Sequence, residues 1–412
     1  MCIRDSILRM IFNNLNSDTL IILGQKLPEI KKYTSLPEFT IKRELNCFFT
    51  KESFMNEILG YGINIKYFKK SDQIQSINIV LDLVSKEAYD NNCNYSVWNE
   101  EFRFWFPIKI NNNHVERARK IIEQTVADIY FSRREGDNIN DRWPTLSGYY
   151  DLALETFTNG EFKINDFKPK YMVDIMCKIL SSMIVDMMKD NLHASIKALN
   201  GFCEFHYLLI QFIEWYPEMK TIADEKIDFF INNFRYVNKL KYNSLGEFII
   251  LLLITDKYKW NDIKYNFMKE SECRNIRWIL KEYPDFEDFY NHRNKSECNN
   301  EFVDSIFDIV KVGKKLNLFT IYFINEIALE NQKNYKEYYG RPTPEIEMKF
   351  QIKVKQIKSI ETWEQYYNEL NLYMPPRRKI LSDYINSINI SKMKKYHKAF
   401  KKNDILDKSK WR

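Results

Sequence analysis

Apolar side chains recur along this chain at two different spacings, and the switch between them divides it. Strict alternation marks half-buried strands, and a repeat of three or four residues marks one face of a helix. Alternation governs Ile63–Phe68 (INIKYF) and, most clearly, Phe102–Ile110 (FRFWFPIKI), where Phe102, Phe104 and Phe106 share a face. Pro107 lacks a backbone donor, so that strand is expected at a sheet edge or with a bulge. Gln75–Ala88 fits either a strand or a helix. A helix follows from His114 to about Phe131, with Ile121, Ile122, Val126 and Ile129 in phase. Residues 61–160 therefore read as a small α+β unit, behind an N-terminal segment, 1–60, without a clear pattern.

Beyond Tyr171 the helical repeat takes over. Tyr171–Met188 carries a methionine stripe read as core. His193–Tyr216 continues as a helix with an expected break at Asn200-Gly201, and Pro217-Glu218 suits the first turn of the next one. Ser244-Leu-Gly-Glu247 matches a capping box, in which Ser and Glu each satisfy the other's backbone amide. It opens the apolar run Phe248–Ile254. Two shorter segments, Ile263–Met268 and Cys273–Tyr283, precede Pro284. Glu301–Leu329 is a long amphipathic stretch, and Thr343-Pro344 places an N-cap and N1 residue before Glu345–Lys358. Helices are expected at Thr362–Leu372 and Arg377–Ser387. The expected fold class is mainly α: a multi-helix bundle or irregular helical array with the small α+β unit in the N-terminal half. The expected divisions are helical domains at 165–292 and 300–390 and a basic tail at 391–412.

Composition changes this picture little. An apolar share of 45% over 412 residues supports packed cores. The longest apolar run, Phe248–Ile254, is far short of the roughly 20 residues of a membrane span. The first six residues, MCIRDS, resemble translated adapter sequence and are read as foreign; they show no signal peptide. Seven scattered cysteines without a CxxC pair speak against a disulfide framework and a four-cysteine zinc site. An intracellular setting, cytoplasmic or nuclear, is the expectation, with no cofactor and no metal. Charge changes it more. Residues 377–412 hold twelve Lys and Arg against three Asp and Glu, while the chain as a whole carries +6, so the body is mildly acidic.

Phosphate-loop, dinucleotide, zinc-protease and serine-hydrolase motifs are missing from the sequence. The one grouping with chemical promise is His193-Ala-Ser195 with Cys203-Glu-Phe-His206. Cys203 and His206 are three residues apart on a helix and share a face. A thiolate activated by an imidazole is a nucleophile, and a Cys/His pair is half a zinc site. Packing is the stronger reading, because catalytic pairs usually come from separate elements. The tail interleaves Lys392, Lys394, Lys395, Lys398, Lys401 and Lys402 with Tyr396, His397 and Phe400. That pattern suits nucleic-acid or anionic-lipid contact, or, as the stronger reading, a solvated terminus.

Five blocks act as a set: Trp98–Pro107, His193–His206, Leu245–Phe248, Arg274–Trp278 and Tyr339–Pro342. Together they resemble a region, without assigned activity, of large eukaryotic multidomain proteins, some of which also carry ubiquitin-conjugating domains. The resemblance implies a link to the ubiquitin system by association and names no site residue; the His-Pro-Asn tripeptide of a conjugating fold is absent. The leading expectation is a non-catalytic helical scaffold or protein-interaction module with a protein partner. One alternative is an enzyme or accessory using Cys203 and His206, in ubiquitin-type transfer. A second is nucleic-acid binding through the tail.

Overall fold

In the computed structural model the chain is mainly α, with one small antiparallel sheet in its N-terminal half. The structure describes residues 58–67, 74–96, 100–109, 115–131, 167–188, 192–284, 286, 300–335 and 340–397, with scattered positions before 31. Residues 133–140, Lys398, Lys401, Lys402 and the side chain of His193 lie outside the described residues.

The chain divides into two compact units. Unit 1 comprises Met1–Leu209 with Tyr339–Arg341, and unit 2 comprises Ile210–Tyr338 with Pro342–Arg412. The division therefore falls inside the segment expected as one helical domain, 165–292. The expected division near 300 does not separate packing units either: helices on both sides of it lie against each other within unit 2.

Unit 1 is built on β1 (Leu59–Tyr67), β2 (Ile74–Ser85) and β3 (Phe104–Lys109), in the order β2-β1-β3. The ambiguous segment at 75–88 resolves into β2 followed by the short α1 (Lys86–Asp90). Ser85 caps α1 by accepting from the Ala88 amide at 3.0 Å. β3 lies at an edge, and two of its residues span one step of β1: Leu59 pairs with Lys109 and Gly60 with Pro107. Pro107 thus occupies an edge strand and a bulge, the two places where a missing donor costs least. Two glycines in β1 are dictated by what crosses them. A Cβ at Gly62 would sit 2.2 Å from the Phe102 ring, and one at Gly60 would meet the Phe106 carbonyl at 2.4 Å.

α2 (Val115–Phe131) packs on β3, and α3 (Pro169–Met187) packs on β2 and α2. Met172, Met176, Met183 and Met187 are all fully buried, so the methionine stripe is core. α4 (Leu192–Trp215) is continuous through Asn200-Gly201, contrary to the expected break. Gly201 is there for proximity: its Cβ would lie 3.0 Å from Met183 Cε and 3.2 Å from Leu81 Cδ2. The gain from close packing outweighs the ~1 kcal/mol a helical glycine costs. Trp105, on the opposite face of β3 from Phe106, is buried as well, its indole donating to the Val84 carbonyl at 3.0 Å.

Unit 2 holds α5 (Glu218–Asn232), α6 (Leu245–Ile250), α7 (Trp260–Glu282), α8 (Asn300–Tyr322), α9 (Pro344–Lys358), α10 (Trp363–Glu369) and α11 (Arg377–Met393). Ser244 caps α6 by accepting from the Glu247 amide at 3.0 Å. Glu247 accepts from the Asn243 side chain at 3.3 Å, so only half of the expected box forms. The apolar run continues past α6 as a 3-10 turn, Leu251–Leu253. Phe248 stacks on Phe230 of α5 with ring centroids 3.8 Å apart, and burial of each ring stabilises by about 1.5–3 kcal/mol. The two short segments expected between 263 and 283 form one helix, α7, whose first turn is held by Asp262 accepting from the Lys259 amide at 2.8 Å. α8 passes straight through Gly313 and ends in a π-helical turn, Phe323–Ala328. Thr343 caps α9 as expected. A full capping box, Thr362 with Gln365, starts α10. α7 lies against α5, α8 and α11. None of the described helices is long and apolar enough to cross a membrane.

Candidate functional site

Cys203 and His206 both face the interior of unit 1, each 0% exposed. Three residues apart on α4, they flank Phe205, whose ring packs on the sheet residues Phe106 at 5.6 Å and Tyr61 at 5.9 Å. The neighbouring Glu204 carboxylate is also buried and accepts from the Tyr61 hydroxyl at 2.6 Å. Burial, then the Glu204 charge, push the Tyr61 phenol upward; the Arg341 charge acts the other way. Burial pulls the His206 imidazole down to about 3, so the ring is neutral across the physiological range. His193 stands in the first turn of the same helix. At ~1.5 Å per residue it is roughly 15 Å from Cys203 along the axis, so α4 keeps it apart from the pair.

Gly340 and Arg341 belong to this neighbourhood. Gly340 adopts φ +80°, a conformation glycine takes without steric penalty, and a Cβ there would lie 3.3 Å from the Tyr207 ring and 3.5 Å from the Glu204 Cα. Nearer the start of α4, Lys197 pairs with the buried Asp82 of β2 at 3.2 Å. Three of the five resemblance blocks therefore meet around α4: Phe106, Glu204-Phe205 and Gly340. What joins them is packing.

The Arg274–Trp278 block lies in unit 2, beside a buried carboxylate. Glu270 of α7 is fully buried and receives three donors. Arg274 Nε reaches Oε1 at 2.9 Å, Lys394 Nζ reaches Oε2 at 2.5 Å, and the Tyr396 hydroxyl also donates to Oε1. Arg274 spends its remaining donors on the backbone just ahead of α6, with Nη2 to the Tyr242 carbonyl at 2.6 Å and Nη1 to that of Asn243 at 3.0 Å. Burial lowers the Lys394 ammonium, against the opposing pull of Glu270. It raises the Tyr396 phenol.

This cluster corrects part of the expected basic tail. Lys394 is buried against Glu270 and over the Phe234 ring at 3.5 Å, so it is not a solvated tail residue. The chain turns back after α11 because Lys395 takes a left-handed conformation, φ 60°, which returns the Tyr396 amide to the Ser391 carbonyl at 3.0 Å. His397 then meets the Ser391 hydroxyl at 2.9 Å. Lys392 and Lys395 remain exposed.

A second buried cation had no counterpart in the expectations. Lys314 of α8 is buried among three rings, 5.3 Å from the centre of Tyr366, 5.8 Å from Trp363 and 5.9 Å from Tyr384. Ring faces attract a cation, more so when it is desolvated. Burial lowers its ammonium, and the Glu272 charge partly opposes this. Close by on α7, Asn275 places Oδ1 3.6 Å from where a Gly313 Cβ would be. Its Nδ2 and the Tyr384 hydroxyl are buried without a hydrogen-bond partner among the described residues. The sequence signal for Lys314 was its phase: it lies four residues after Val310 and four before Leu318, on the apolar stripe. Glu270 and Arg274 were legible only as an ordinary i,i+4 pair.

Among the described residues, no three His, Cys, Asp or Glu side chains gather in a way that could hold a metal ion. No family model, no curated protein and no solved structure matches this chain.

Proposed function

We propose that this protein is a non-catalytic helical scaffold or protein-interaction module. The observation that carries this reading is the enclosure of Cys203 and His206. A thiol that forms thioesters must be reached by a second protein, and its base must take up a proton near neutral pH. Both side chains are sealed under α4, and the imidazole protonates only at about 3. The buried cations are likewise engaged internally, Lys394 by Glu270 and Lys314 by aromatic rings. Large apolar side chains remain for a protein partner: Met348 and Ile352, one turn apart on α9, are 62% and 52% exposed. A ubiquitin-system link enters only through the resemblance, as a property of possible partners. Free thiols at Cys93, Cys177, Cys203 and Cys273 support a reducing, intracellular compartment.

The test is maleimide labelling of the native protein, followed residue by residue by mass spectrometry. Cys203 is expected to react no faster than Cys273, a buried thiol pushed up to about 11 mainly by burial. Rapid modification of Cys203 at neutral pH would establish the enzymatic alternative instead. For the interaction itself, Met348→Glu with Ile352→Glu should abolish cross-linking to a co-purifying protein partner without changing the melting temperature. Retained cross-linking would remove α9 from the interface.

A further inference from the structure

We propose that unit 2 carries a binding site for single-stranded nucleic acid, formed by the turn at Tyr236–Lys241, the C-terminal half of α7 and the exposed lysines that end α11. These three pieces are fixed together by the Glu270 cluster. Arg274 ties α7 to the Tyr242 and Asn243 carbonyls, while Tyr396 donates to the Val237 carbonyl at 3.4 Å as well as to Glu270. The turn is itself rigid: Asn238 accepts from the Leu240 and Lys241 amides at 3.0 and 3.2 Å.

The site is cationic beyond what its own carboxylate balances. Glu270 faces two cations, Arg274 and Lys394, so the cluster retains a positive charge. Lys239 and Arg277 add two more, and neither forms an ion pair among the described residues. The charges acting on Lys239 are those of Arg274 and Arg277. Together with partial burial, they lower its ammonium. Like charges held at one place by a rigid frame are relieved by an anion. Lys392 and Lys395 are exposed at the end of α11.

Exposed rings select the kind of anion. Trp278 is 50% and Tyr236 69% exposed, one on α7 and one in the turn, and the Arg277 guanidinium lies 5.5 Å over the Trp278 ring. Solvent-facing aromatics beside guanidinium groups are what stack bases along a phosphate backbone. An acidic peptide would use the cations and leave the rings idle. Among its exposed lysines the site shares only Lys392 and Lys395 with the expected tail; Lys239, Arg274 and Arg277 stand on the turn and on α7.

The experiment is fluorescence anisotropy of the full-length protein with a labelled uridine 20-mer at several salt concentrations, with tryptophan emission read in parallel. Binding should weaken steeply with salt and quench part of the tryptophan emission. Lys239→Ala with Arg277→Ala should lower affinity at least tenfold and flatten the log K against log salt slope by about 1.4, the loss of two phosphate contacts at ~0.7 each. Trp278→Ala should cost at least fivefold, abolish the quenching and leave the salt slope unchanged. These side chains are exposed, so melting curves should match wild type. Lys398→Ala, Lys401→Ala and Lys402→Ala combined should preserve the quenching and the effect of Trp278→Ala. The proposal is overturned by absence of binding at low salt or by wild-type affinity in the Lys239/Arg277 variant. It is equally overturned if the triple tail variant alone abolishes binding, or if a polyglutamate peptide competes fully while Trp278→Ala has no effect.

Discussion

Removing the charge of Glu270 tests the central element of unit 2. Glu270→Gln keeps the shape and one acceptor oxygen but removes the charge, leaving Lys394 buried with no counter-charge and one fewer acceptor for the three donors. Removing one partner of a buried ion pair costs about 3–5 kcal/mol. For a unit of this size, each kcal/mol shifts the melting temperature by about 2–4 °C, so a fall of roughly 6–20 °C is expected. Lys394→Met should cost less, about 1–3 kcal/mol, because Arg274 and Tyr396 still hold the carboxylate. Glu270→Met with Lys394→Met should recover most of the loss, since apolar groups of similar volume replace a buried pair at little or no cost. The sign of the pH effect is fixed. Lys394 is lowered in the folded state, and without Glu270 it is lowered further. The unfolded chain then binds more protons, and stability rises with pH. The Glu270→Gln deficit should therefore shrink between pH 7 and 10. Urea unfolding across that range measures it. A Glu270→Gln protein within 1 kcal/mol of wild type, or a deficit that grows with pH, would refute this account.

Three further outcomes are expected. His206 is held neutral down to about 3, so the unfolded chain alone takes up its proton below the usual histidine range. Stability should therefore fall as pH drops from about 6.5, an effect that His206→Leu should reduce; urea titrations at pH 7 and 4.5 compare them. Lys314→Met removes a buried ammonium and should be neutral or stabilising at pH 7. The wild type should close the gap as pH rises past the lowered Lys314 value, and a variant destabilised by more than 2 kcal/mol would show that the aromatic contacts outweigh desolvation. Gly62→Ala should destabilise by roughly 3 kcal/mol or more, because the Phe102 ring it strikes is itself buried. Gly201→Ala should cost about 1 kcal/mol or less, because it meets only side-chain ends, Met183 Cε and Leu81 Cδ2, at 3.0 Å and beyond; thermal melts rank the two.

The helices of unit 2 were largely legible because their starts are written locally: Thr343-Pro344 and Ser244 carry their own caps. Breaks were read less well. Gly201 looks like an interruption in a one-dimensional pattern, yet α4 passes through it, and a neighbouring side chain occupies the space a Cβ would need. The Cys203/His206 pair was found from spacing, but its full burial depends on tertiary packing that spacing along one helix does not encode. Lys394 was misassigned for a similar reason. A lysine in a basic run is solvated by default, and only a carboxylate 124 positions earlier overrides that.

The placement of Tyr339–Arg341 has a consequence for synthesis. Unit 1 contains residues up to Leu209 and then this short segment, with the whole first stretch of unit 2, Ile210–Tyr338, made in between. At ~5–20 residues per second, about 7–27 seconds separate the emergence of Glu204 and Tyr207 from that of the glycine that lies against them. During that interval the nascent chain holds an incomplete first unit while the second is being made. Ribosome-bound chains stalled before Tyr339 should therefore be more open to protease near Tyr207 than chains stalled a few dozen residues later.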